Sequence, residues 1–404
     1  MIEMSILKNI ASVDISNVDK KSKENEQKVY LCNFVDVYRN WEITNSLAAK
    51  FMTATANENQ IKRFSIHKGQ VAITKDSETR NDIGVAAYIA DDLNNTVLGY
   101  HCALITPNEN YLLGEYLNVI LHTSYAQKYF EANASGSGQR YTLTNDIIGG
   151  FPVPLPTISE QYRISHIFSL IDKQIANNKA ICAELESMAK LLYDYWFVQF
   201  DFPDENGKPY KSSGGKMVWN QTLKRGIPEE WKVCTIASIL GNYPKTTSVI
   251  REEYSNGSSF PIIDQSKEYI CGYTDDSTKV LHMKDAIVYG DHTNCVKYVN
   301  FDFARGADGT QIINSNNSQL PNYLLYQQIC SLPVIEKGYS RHYKFLKEQY
   351  VIIPNGKTSE LFINKMKDSL SYKRCIIEEN RQLTLLRDFL LSMLMNGQVK
   401  IRES

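Results

Sequence analysis

Apolar residues recur along this chain in two rhythms. From Ile164 the series Ile164, Phe168, Ile171, Ile175, Asn178, Cys182, Leu185, Ala189, Leu192, Trp196 advances by alternate steps of four and three, which is the heptad seam of a coiled coil. Thr157 and Glu160 stand just before it as T-x-x-E, a capping box that satisfies free amides where a helix begins. A second stripe runs through Ile376, Leu383, Leu386, Leu390 and Met393, lacks a capping box, and stops at Asn396-Gly397, where Gly397 suits a left-handed cap. Ahead of each helix, the short β-branched and aromatic runs VYLCNFVDVY, QVAITK, AIVYGD and CVKYVNFDF predict strands. The pattern predicts two mixed α/β regions, each closed by a long helix.

The two regions repeat one another. Pro154 and Ser159-Glu160 recur 200 residues later as Pro354 and Ser359-Glu360. ITPNENYLLGEYL from Ile105 resembles INSNNSQLPNYLL from Ile313, and Gln139-Arg140-Tyr141 resembles Arg341-His342-Tyr343 at an offset of 202. Repetition at long period defines the architecture before any single motif does. The chain divides into a globular region at 1–155, a helix at 156–200, a connector at 201–230, a second globular region at 231–355 and a second helix at 356–404. Pro203, Gly207, Pro209, Gly214 and Gly215 keep the connector from forming regular helix. Either helix alone would serve as an amphipathic cover for its own domain. Two in a repeat predict that they pack together.

Composition narrows the function. The 404 residues hold 44 Lys plus Arg against 45 Asp plus Glu, a net charge of -1, so any contact with nucleic acid must be local rather than a matter of bulk charge. The eight cysteines include no CxxC pair, which fits free thiols in a reducing compartment better than a disulfide or metal framework. There is no apolar run of spanning length and no signal-peptide pattern, so a cytoplasmic protein without membrane contact is expected. Catalytic motifs are missing. The Gly-Lys pairs lack the upstream glycine of a P-loop, there is no HExxH or GxSxG, and Gly136-Ser137-Gly138 has no third glycine for a dinucleotide fingerprint. Neither an Asx-Pro-Pro-aromatic loop nor an F-x-G-x-G turn of S-adenosylmethionine-dependent amino-methyltransferases is present.

IPEEWKV at 227–233, PLPTISEQYRI at 154–164 and the stretch YDYWFVQFDFPDENGKPYKSSGG, set in the duplicated plan, resemble the DNA-specificity subunit of type I restriction-modification systems over nearly the whole chain. The resemblance implies an α/β (α+β) fold: two globular target recognition domains joined by two long antiparallel coiled-coil helices, with a pseudo-two-fold internal repeat. It also implies a non-catalytic chain that reads a bipartite double-stranded DNA target. The resemblance further implies that two methyltransferase subunits dock on it and that restriction subunits join through them. No cofactor is expected on this chain, S-adenosylmethionine being expected on the methyltransferase partner. A seam of 33 residues from Ile164 to Trp196 gives a rod of roughly 50 Å, the length of roughly 14 or 15 base pairs.

Base edges are read by forked or amide side chains, while Lys, Ser, Thr and backbone amides hold phosphates. Two segments in each half carry such groups. In the first half they are Lys75, Ser77 and Arg80 after QVAITK, then Ser137, Gln139, Arg140, Tyr141 and Thr142 on a glycine-flexed loop. In the second they are His292, Thr293 and Asn294 after AIVYGD, then Tyr339, Arg341, His342, Tyr343, Lys344 and Lys347. Asp291-His292 has no third ligand nearby in sequence, which disfavours catalysis. Two rivals stand beside this reading: a DNA-modifying enzyme in its own right, and a coiled-coil scaffold that reads no sequence.

Overall fold

The computed structural model describes residues 3–136, 139–255, 259–306, 308–333 and 341–395. The chain forms two compact units, Met1–Asn177 with Arg381–Ser404, and Asn178–Asn380, so the division crosses each long helix.

The first unit is built on a five-stranded sheet ordered Ala11–Ile15, Cys102–Pro107, Val71–Thr74, Ala86–Ile89, Glu42–Ile43, with Met52–Ala56, Gln27–Cys32 and Thr96–Leu98 forming a second sheet. Val71–Thr74 and Ala86–Ile89 are buried along their whole length, so apolar residues occupy both faces rather than alternating. Glu3–Ile6 pairs with Pro152–Leu155 and ties the start of the unit to the chain entering the long helix.

The second unit repeats these devices. Ala286–Gly290 lies between Val296–Val299 and Thr310–Ile313, as Val71–Thr74 lies between Ala86–Ile89 and Cys102–Pro107. Lys232–Thr235 pairs with Tyr350–Ile353 just before the second long helix, and helix Asn322–Ser331 takes the place of Gly114–Leu121. The repeat legible in sequence is a repeat of topology. Its connector is ordered by local bonds: Asp201 accepts from the Ser212 amide and hydroxyl, and Phe202 stacks between Tyr210 and Trp231.

Two strand expectations need correction. VYLCNFVDVY is strand only to Cys32 and then helix over Phe34–Tyr38, because Asn33 and Asp36 form a capping box that turns the chain. CVKYVNFDF divides between Val296–Val299 and Phe303–Arg305, which belong to different sheets.

The long helices span Ile158–Tyr193 and Gly356–Met395. Thr157 and Glu160 make the reciprocal capping bonds. The second helix is capped instead by Asn355, whose side chain accepts the Thr358 amide at 2.9 Å. Gly397 lies outside the described residues. All ten residues of the first seam are buried or half-buried. In the first unit Phe168 and Leu391 share a cluster with Val119, and Arg387 reaches Asp172 at 3.4 Å. In the second, Asn178 donates to Asn380 at 2.9 Å, Lys373 pairs with Glu186, and Trp196 packs on Phe362. Within each unit partners descend along one helix as they ascend along the other, so the helices run antiparallel.

On the second helix the stripe differs from the sequence expectation. Ile376 is buried and Leu383, Leu390 and Met393 are half-buried, but Leu386 is 46% exposed. The contact line passes through Lys373, Asn380, Arg387 and Leu391. Polar residues on this line do not contribute to apolar periodicity, and the charges of Lys373 and Arg387 are met by Glu186 and Asp172 across the seam.

Candidate nucleic-acid interface

In the first unit the chain leaves buried strand Val71–Thr74 and at once forms a two-residue strand, Asp76–Ser77, in a small sheet with Tyr141–Thr142 and Ser135–Gly136. Asp76 lies opposite Thr142, and Ser77 opposite Tyr141. The two segments singled out in sequence thus form one surface. A Cβ at Gly136 would collide with the Arg140 carbonyl oxygen, so the turn requires glycine there.

Asp76 holds this surface together. It is 8% exposed, and its Oδ2 lies 2.8 Å from Lys75 Nζ, 2.8 Å from His101 Nδ1 and 3.3 Å from an Arg140 guanidinium nitrogen. Burial opposes its ionisation, but hydrogen bonds from Lys75, His101 and Thr142 outweigh it and hold the carboxyl below the usual range. Arg140, Gln139 and Arg80 remain exposed, with Arg80 over the Tyr141 ring at 5.1 Å. Ser77, Tyr141 and Thr142 are half-buried. Lys75 is half-buried against Asp76, so its ammonium serves the scaffold first. Ser137 lies outside the described residues.

The second unit uses an equivalent carboxylate. Asp291 is 3% exposed and follows Ala286–Gly290. Its carbonyl oxygen accepts the His342 amide at 2.9 Å, and its Oδ1 accepts the Tyr343 amide at 2.8 Å. Again a buried Asp at a strand end ties the strand-end loop to the basic-aromatic segment. Asn294 takes φ 55°, a left-handed conformation that Asn tolerates, and accepts the Tyr289 hydroxyl. Thr293 donates to the Gln265 carbonyl at 2.6 Å. His292, Arg341 and Lys344 are exposed, and Lys347 lies over the Tyr343 ring at 5.2 Å. His342, at 6% exposure, belongs to the scaffold. Tyr339 lies outside the described residues.

His101, Tyr38, Asp82 and Gln265 complete these surfaces, and nothing in their sequence neighbourhoods marks them. Among the described residues no group of three or more His, Cys, Asp or Glu is placed to hold a metal ion, and no helix is long and apolar enough to cross a membrane.

Residues 2–187 match the family described as the type I restriction modification DNA specificity domain. The type I restriction enzyme MjaIX specificity subunit of Methanocaldococcus jannaschii is 25% identical over 378 residues, covering 86% of this chain and 82% of that protein. The HindI specificity subunit of Haemophilus influenzae is 32% identical over 138 residues, 34% of this chain and 29% of its own. Among solved structures, the type I restriction-modification S subunit from M. genitalium matches with a TM-score of 0.49 and 14% identity, over 96% of this chain and 95% of that one.

Proposed function

We propose that the chain, whose residues 2–187 match the type I restriction modification DNA specificity domain, is a non-catalytic specificity subunit that reads a DNA target in two parts, one with each unit. It would deliver that target to methyltransferase subunits carrying S-adenosylmethionine, and through them to restriction subunits. The observation that carries this reading is the duplicated device: Asp76 and Asp291 each fix a loop bearing an Arg and a Tyr, with Gln139 in the first and Lys344 in the second, beside a strand-end loop. In a chain of net charge -1, two such loops supply the local cations that phosphate contact needs. Their exposed Gln139, Arg140 and Arg341 supply the groups that read base edges. The long helices would fix the distance between half-sites. We assign the complex to the cytoplasm, where its DNA lies.

The test is to assemble the chain with its methyltransferase partner and map methylated bases, then to replace residues 1–155 by the corresponding region of another family member. One half of the mapped site should change and the other persist. A folded hybrid in which both halves change would refute the two-reader model. Methylation by the purified chain alone would revive the enzyme reading, and sequence-independent binding would favour the scaffold.

A further inference from the structure

We infer that Asp82, positioned by Tyr38, reads the exocyclic amino group of a cytosine in the half-site met by the first unit; this rests on the function just proposed. Beside the tethered loop an open cleft is lined by Tyr38, Ser77, Asp82, His101, Gln139 and Arg140, together with the Asp76 carboxylate. Its acidic groups differ in state. Asp76 is matched by Lys75, His101 and Arg140. Glu78 is exposed and can turn to solvent. Asp82 is half-buried, and among the described residues its hydrogen-bond partner is the Tyr38 phenol, which donates to Oδ1 at 3.0 Å and Oδ2 at 2.9 Å. A neutral donor fixes the carboxylate in place and leaves its charge intact.

A fixed negative charge on a surface that also presents Arg80 and Arg140 repels phosphate, and binding tolerates it only opposite a donor. The major groove offers two such donors, cytosine N4 and adenine N6. An ionised carboxylate accepts hydrogen bonds and donates none. Adenine sets the acceptor N7 beside its amino group, whereas the cytosine edge presents the amino group alone, so the carboxylate fits cytosine. Tyr38 stacks on Phe34 at 5.5 Å, which holds the phenol and through it Asp82.

The experiment maps methylated sites of the assembled complex for wild type, D82A, D82N and Y38F. The wild-type first half-site should contain a fixed G·C pair at which D82A and D82N relax preference by about tenfold or more. The second half-site and spacer should stay constant. Y38F should relax the same position less. Duplexes carrying 2-pyrimidinone, which lacks the 4-amino group, in place of that cytosine should bind wild type about tenfold more weakly and D82A without further loss. Specificity unchanged in D82A, relaxation elsewhere, or equal sensitivity of wild type and D82A to the analogue would overturn the assignment while leaving the two-reader model standing. A wild type with no bipartite pattern would overturn both.

Discussion

Two buried carboxylates do the same work in different chemical settings. Asp76 binds side-chain cations, while Asp291 accepts a backbone amide and presents its own carbonyl to a second. Removing the Asp76 carboxylate strands the half-buried Lys75 and His101, and removing that of Asp291 strands the Tyr343 amide, each at a cost of about 1–3 kcal/mol. Asp76→Ala should lower the unfolding temperature modestly and abolish selection at the first half-site alone; Asp291→Ala should do so at the second. Calorimetry with methylation mapping checks both, and loss of both half-sites from one substitution would contradict the model. His122 supplies a pH signature. Burial drives its pKa down from 6.5 to about 4, the Asn118 carbonyl opposes the shift, and the Arg387 charge adds to it. The unfolded imidazole takes its proton near pH 6.5 while the folded one does not. Stability from this source is therefore full above pH 6.5 and falls as pH drops towards 4, by at most about 3 kcal/mol. His122→Phe should flatten denaturant-measured stability over that window.

At the scale of the helices, the seam contains a polar pair, Asn178 and Asn380, separated by the 202-residue offset of the repeat. A buried polar pair specifies register at some cost in stability. Asn178→Leu alone should cost about 1–3 kcal/mol, while Asn178→Leu with Asn380→Leu should recover most of it; a double-mutant cycle reads the coupling. The proposed spacing role gives a second test. Four residues inserted after Leu185 lengthen that helix by about 6 Å. Because Glu186 meets Lys373, the matching insertion belongs after Arg374. With both insertions the mapped spacer should grow by one or two base pairs, each rising about 3.4 Å, while the half-site sequences hold. An unchanged spacer in an active complex would show that the helices do not set it.

For the whole molecule, the sequence by itself determined the duplication, the two long helices, the capping box at Thr157 and the four segments that carry the candidate readers. Each is readable without the fold: heptad spacing, a turn residue beside a strand run, or one half matching the other at offsets of 200 to 208 residues. Tertiary structure decided what those signals meet. It joined the Lys75–Arg80 segment to the Gln139–Thr142 segment by pairing Asp76 with Thr142. It brought His101, in the turn ahead of strand Cys102–Pro107, to Asp76, and Tyr38 from a short helix to Asp82. It also moved the second helix's contact line onto Lys373, Asn380 and Arg387. These pairings lie 25 to 215 residues apart in sequence. A charged or polar side chain reads as solvated until its partner is known, so only the folded chain separates the cations that hold the surface from those left exposed on it.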